Sequence, residues 1–130
     1  MNFPAWGTEV AVLRNRADEV GTDLRVDVIG GVVLIDATGE LEGEMAERLS
    51  ENFDQIRGGT RPVVLDLTRV TEVGEEALRV LRTMWREVGD GMRVVATPGS
   101  APAQAFKATR LRRFAVVHAT LSGALTDASA

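Results

Sequence analysis

The chain is 130 residues long, 45% hydrophobic and 26% charged, with a net charge of −4. That is the size and make-up of one globular domain and not of a disordered segment. Cysteine is absent and histidine occurs once, at His118, which excludes disulfides, thiolate chemistry, Cys-ligated metals and paired-histidine sites.

Charge is unevenly spread. Residues 1–78 hold 16 acids and 7 bases, whereas residues 79–130 hold 3 acids and 8 bases. The later arginines are scattered over helical stretches with few aromatics to stack on bases, so they read as solvated helix faces. Overall acidity also opposes binding to phosphate backbones, and nucleic acid is not an expected partner.

Residues 1–13 lack the basic start and unbroken apolar run of a secretion signal. No window reaches the ~18 apolar residues of a membrane helix. The expected location is the cytoplasm, without membrane insertion. Trp6, Val10, Leu13, Ala17 and Val20 repeat at helical spacing. They predict an amphipathic helix in an extension over 1–22, burying its stripe against the domain or against a second copy in a homodimer.

Leu24 to Val28 alternates apolar and charged residues, a half-buried strand. Gly30-Gly31 marks a tight turn, and Val32 to Ala37 reads as a second strand buried on both faces, ended by Gly39. Glu44 to Arg57 is a helix: Met45, Leu49, Phe53 and Ile56 form one stripe, acids crowd its start and Gly58-Gly59 stops it. Pro62 to Leu67 is the third strand.

Gly74 opens a second helix reaching Val88, with Ala77, Leu81, Met84, Trp85 and Val88 on its buried stripe. Met92 to Ala96 is a fourth strand. Pro102 suits the first turn of a helix over Ala101 to Arg110. Ala115 to Val117 is a fifth strand, and 119–126 a last short helix. The order ββαβαβαβα requires crossovers. The expected fold is α/β, a mixed, mostly parallel sheet with helices packed on it, over residues 23–126, with 127–130 as a tail.

This order, with three motifs, resembles the STAS domain family (sulfate transporter and anti-sigma factor antagonist). Gly39-Glu40-Leu41-Glu42 is similar to the family's Gly-Glu-Leu-Asp. Val63-Val64-Leu65-Asp66-Leu67-Thr68-Arg69-Val70-Thr71 is similar to its third strand and loop. Leu111-x-x-Phe114 followed by Leu121-x-x-Ala124-Leu125 is similar to its C-terminal pattern.

The resemblance implies a non-catalytic module that binds a kinase-type anti-sigma factor or a related regulator. It places the partner surface on the loop at 71–76, with Thr71, Gly74, Glu75 and Glu76, on Glu42 and on the exposed face of the second helix. It also exposes a departure. The family's phosphorylated hydroxyl falls on Glu76, and no hydroxyl lies between Thr71 and Thr83.

A phosphate there would add about −1.5 to −2 charge at a helix start, where the helix dipole stabilises it. Glu76 puts a carboxylate in its place, so the module is not expected to be phospho-switched. The competing reading is local: acids in a first turn are common stabilising residues, and Gly74 is an acceptable N-cap.

No catalytic residues, metal site or cofactor are expected. No nucleophile or base stands beside the carboxylates, and the acids match no cation-binding loop. Glutamates at the second helix's start would oppose an anion there. His118 is expected to be structural, at a strand end. Two alternatives remain within the resemblance: a non-catalytic subunit of a larger assembly, such as a lipid-transport ATPase or signalling scaffold, and a nucleotide- or lipid-sensing domain.

Overall fold

The computed structural model describes residues 23–56, 58–109 and 116–129. The N-terminal stripe and the Leu111 to Phe114 motif lie outside the described residues. The elements are β1 (Asp23–Ile29), β2 (Val32–Leu41), α1 (Glu44–Ile56), β3 (Val63–Val73), α2 (Glu75–Val88), β4 (Met92–Val95), α3 (Ala101–Thr109), β5 (Val116–His118) and α4 (Leu121–Ser129). They form one sheet in the order β1-β2-β3-β4-β5. β1 and β2 are antiparallel, and the other neighbours are parallel. The mixed α/β fold and the order of elements are as the sequence implies.

The β1–β2 turn is made by Gly30 and Gly31, with φ of 57° and 83°. Both central residues of the tight turn that matches strand twist need positive φ, which glycine takes without a Cβ clash.

Strand alternation sorts the side chains between two layers. Val33, Ile35, Val63, Leu65, Leu67 and Val94 face α1, α2 and α3 in the main core. Val32, Leu34, Val64 and Val95 face the other way and are covered by Ala124 of α4, with Leu121, Leu125 and Ala128 beside it. This explains the continuous apolar run of β2: it is buried on both sides.

Helix α3 is anchored by few residues. Pro102 and Phe106 are buried, and Phe106 meets the Trp85 ring edge-on with centroids 5.6 Å apart.

Helix α4 is pinned by charge as well as by packing. Asp127 Oδ2 accepts hydrogen bonds from Arg93 Nε of β4 and lies 3.0 Å from His118 Nε2 of β5. Hydrogen bonding from Arg93, then from His118, holds the Asp127 carboxyl below the ordinary aspartate range. A carboxyl with a depressed folded pKa stabilises the fold above its unfolded pKa and stops doing so as pH falls through the folded one.

Acidification below about pH 4 therefore loosens α4. Wild type should lose more melting temperature between pH 7 and pH 3 than Asp127→Asn does. Equal losses would show that the Arg93–Asp127–His118 contact contributes nothing. The comparison with Asp127→Asn is needed because Asp36 acts in the opposite sense. Burial raises its pKa, and Arg69 only partly offsets that.

Three expectations on element ends are corrected. Gly39 does not end β2, which continues to Leu41. With φ of 94° it sits where the β2–β3 register shifts, so it serves a bulge and not a stop. β3 runs on to Val73, six residues beyond the expected Leu67. Helix α4 extends to Ser129 instead of closing at 126.

Candidate functional site at the joined starts of two helices

The extension of β3 determines the shape of the site. Asp36 pairs with Asp66, but Thr38 pairs with Arg69, and Gly39 pairs with Val70 while Glu40 pairs with Glu72. β3 thus carries one extra residue at each of two bulges, and the second extra residue is Thr71. A bulge bends its strand and re-aims side chains. Thr71 and Glu72 are both exposed.

The first bulge is braced by Asp66. This buried carboxylate accepts the Thr68 backbone N–H at 3.0 Å and the Thr68 hydroxyl at 2.8 Å through Oδ1. Arg69 donates to Asp36 Oδ2 at 2.8 Å across the two strands. The Asp-Leu-Thr-Arg run is therefore a strand-bending device.

Beyond Val73 the chain turns into α2 through one residue. Gly74 is extended, with φ −86° and ψ 172°, and no side chain caps the helix there. Its N–H donates to the Leu41 carbonyl at 2.9 Å. A Cβ added at Gly74 would lie 2.7 Å from the Glu42 Cβ. The need for glycine is one of space, since this backbone conformation suits any residue.

That close approach brings Glu42, at the head of α1, against the head of α2. The Glu42 carbonyl accepts the Met45 N–H at 3.1 Å and so begins α1. The two helix starts lie side by side, with Glu44 and Glu47 in the first turn of one and Glu75 and Glu76 in the first turn of the other.

The structure thus gathers Glu42, Gly74, Glu75 and Glu76 at one end of the sheet, with Thr71 on the strand leading in. Glu42, Thr71, Glu75 and Glu76 are exposed. The expected loop over 71–76 is instead strand through Val73, then a one-residue cap. Its cause is the pairing of β-branched Val70 and Val73 with Gly39 and Leu41 of β2, Thr71 being the bulged residue between them.

One feature was missed from the sequence. Glu72 stands opposite Glu40 across the β2–β3 ladder, both exposed, and extends the acidic edge. Like charges in that relation repel. The outer face of α2 carries Arg79, Arg82 and Arg86, all exposed, as expected of a solvated helix face. The helix therefore presents a negative first turn followed by a positive face. The 3–4 residue spacing of those arginines was a readable signal of a common face.

Among the described residues, no group of three or more His, Asp or Glu side chains is placed to hold a metal ion. No described helix is long and apolar enough to cross a membrane. A cleft of about 740 Å³ lies on the β4–β5 side, between α3 and β5, lined by Ala96, Phe106, Lys107, Val117 and His118 among others. His118 ends β5, as expected, and its partner Asp127 makes it part of the α4 anchor.

Among the described residues, a mixed sheet flanked by three helices on one face and one on the other, with two helix starts joined beside a bulged strand, defines a small α/β domain. The STAS domain family model matches residues 23–124, and the chain belongs to that family. Among solved structures it is similar to an anti-sigma factor antagonist from Mycobacterium paratuberculosis, at 26% identity. That match covers 84% of this chain and 95% of the other, with a TM-score of 0.77.

It shares its fold with a putative anti-sigma factor antagonist from Thermotoga maritima at 19% identity, covering 82% and 95% of the two chains, TM-score 0.71. The same holds for unphosphorylated SpoIIAA, an anti-sigma factor antagonist, at 13% identity, covering 80% and 94%, TM-score 0.59. No curated protein matches the chain.

Proposed function

We propose that this chain is a non-catalytic, cytoplasmic interaction module of the anti-sigma factor antagonist type. It binds a kinase-type anti-sigma factor or related regulator through Glu42, Thr71, Gly74, Glu75 and Glu76 together with the exposed face of α2. The observation that carries this is the steric junction of Gly74 with Glu42, which joins residues 32 positions apart into one exposed surface. The 26% identical anti-sigma factor antagonist supports the partner class.

Glu76 occupies the first turn of α2, where the resemblance places a phosphorylated hydroxyl. A carboxylate at that place is favoured by the helix dipole. The module consequently works without a phosphate cycle at this point. Incubation with ATP and a family serine kinase should leave residues 71–78 unmodified by mass spectrometry. Phosphate on Thr71 would contradict this.

Glu76→Ser measures what the carboxylate does. Against the purified regulator, the variant should bind about tenfold more tightly if Glu76 imitates phosphate, equivalent to about 1.4 kcal/mol. Weaker binding of the variant would show a partner whose surface has adapted to the carboxylate. Binding unchanged within twofold would remove Glu76 from the interface.

The cleft beside α3 favours one second reading, a ligand-sensing domain, because its lining is largely apolar with Lys107 and His118 at hand. A rise in melting temperature with nucleotide or fatty acid, lost in Lys107→Ala, would support it.

A further inference from the structure

Among the described residues, strand β1 ends the sheet on one side. An edge strand offers unpaired backbone groups to any passing strand, and a long one is a hazard. β1 is seven residues long and carries Ile29, an exposed large apolar residue. Its register fixes which amides face outward. Ile29 and Val32 close the two-residue turn, so they form a hydrogen-bonded pair with each other. Pairs alternate in an antiparallel ladder. Asp23, Arg25, Asp27 and Ile29 therefore turn their backbone groups to β2, and Leu24, Val26 and Val28 turn theirs to the free edge.

Two of those three outward amides are occupied. The Leu24 N–H donates to Asp23 Oδ1 at 2.9 Å, and the Val28 N–H donates to Asp27 Oδ1 at 2.8 Å. Each aspartate folds its carboxylate back along the strand onto the next residue's amide. We propose that Asp23 and Asp27 close the free edge of β1 against strand pairing with a second copy of this chain.

Charge alone would not do this. Two copies of β1 paired antiparallel about Val26 would set Arg25 of each against Asp27 of the other, an attractive arrangement. The same pairing would use the outward amides of Leu24, Val26 and Val28 as its hydrogen-bonded positions. Those of Leu24 and Val28 are the two the aspartates hold. The block is therefore one of donors already engaged, and a second strand must first displace both carboxylates.

The test uses the full chain. Asp23→Ala/Asp27→Ala frees both donors, while Asp23→Asn/Asp27→Asn keeps an acceptor oxygen at each position and removes the charge. Sedimentation over a concentration series should show the alanine variant self-associating about tenfold or more tightly than wild type, with the asparagine variant staying close to wild type. Amide exchange at residues 24–28 should slow in the associated alanine variant. Asp27→Ala alone, at an exposed position, should shift association in the same direction by less, and it keeps the test available if the double variant folds poorly.

An alanine variant that associates no more tightly than wild type would overturn the proposal. So would an asparagine variant that associates as tightly as the alanine one, or association that leaves exchange at 24–28 unchanged.

Discussion

Phe106→Ala should lower the unfolding free energy by about 3–5 kcal/mol, read as a fall in the urea midpoint. Phe106 is fully buried, and in the short helix α3 only Pro102 is buried with it. Removing the ring costs its transfer free energy and leaves a cavity against Trp85 that α3 cannot fill with another side chain. The loss of the edge-on aromatic contact adds about 0.5–1.5 kcal/mol to that. Phe106→Leu, which keeps most of the volume, should cost less than half as much. A fall below 1 kcal/mol for the alanine variant would mean that α3 is not docked as described.

Gly74→Ala should destabilise the domain by about 1–2 kcal/mol and weaken partner binding together with stability. Two effects oppose. Replacing glycine where the backbone is ordinary usually stabilises by about 0.4–1 kcal/mol, because the unfolded chain has fewer conformations to lose. Here φ is −86°, so that gain is available. Against it stands the 2.7 Å approach to the Glu42 Cβ, an atom fixed to the backbone that cannot swing away.

Overpacking of that kind costs about 1–3 kcal/mol and displaces backbone. The steric cost wins, and the strain falls on the bond between Gly74 and Leu41 that joins the two helix starts. A Gly74→Ala protein as stable as wild type would show that the junction yields freely and does not fix the surface.

The sequence made the two-layer order readable because each element carries its own period. The α2 stripe of Ala77, Leu81, Met84 and Trp85 is buried along its length, with Val88 partly so. The Gly30-Gly31 turn follows from a local rule of backbone sterics. Readings failed where two strands decide jointly. Gly39 looks like a terminator in isolation, and only the partner strand shows that it serves a bulge. Thr71 looks like loop for the same reason: its status as an extra residue exists only relative to Gly39 and Glu40.

The site was half legible. Glu75 and Glu76 follow Gly74 directly in the first turn of α2 and could be placed by counting. The contact of Glu42 with Gly74 spans 32 positions, and the residues alone did not announce it. It was expected from the family resemblance, and the structure brings the two backbones together. The Arg93–Asp127–His118 anchor was not expected at all. Its members lie 9 and 34 positions apart, with no periodicity linking them.

The central claim is that residues 71–76 with Glu42 and the outer face of α2 form the partner surface. The most direct measurement is backbone-amide NMR of the chain titrated with the purified kinase-type regulator. The account predicts shifts concentrated at Glu42, Thr71 to Glu76 and Arg79, Arg82 and Arg86, with β1 and the α3–β5 cleft unmoved. Shifts concentrated at Lys107, Val117 and His118, with the acidic edge silent, would contradict it.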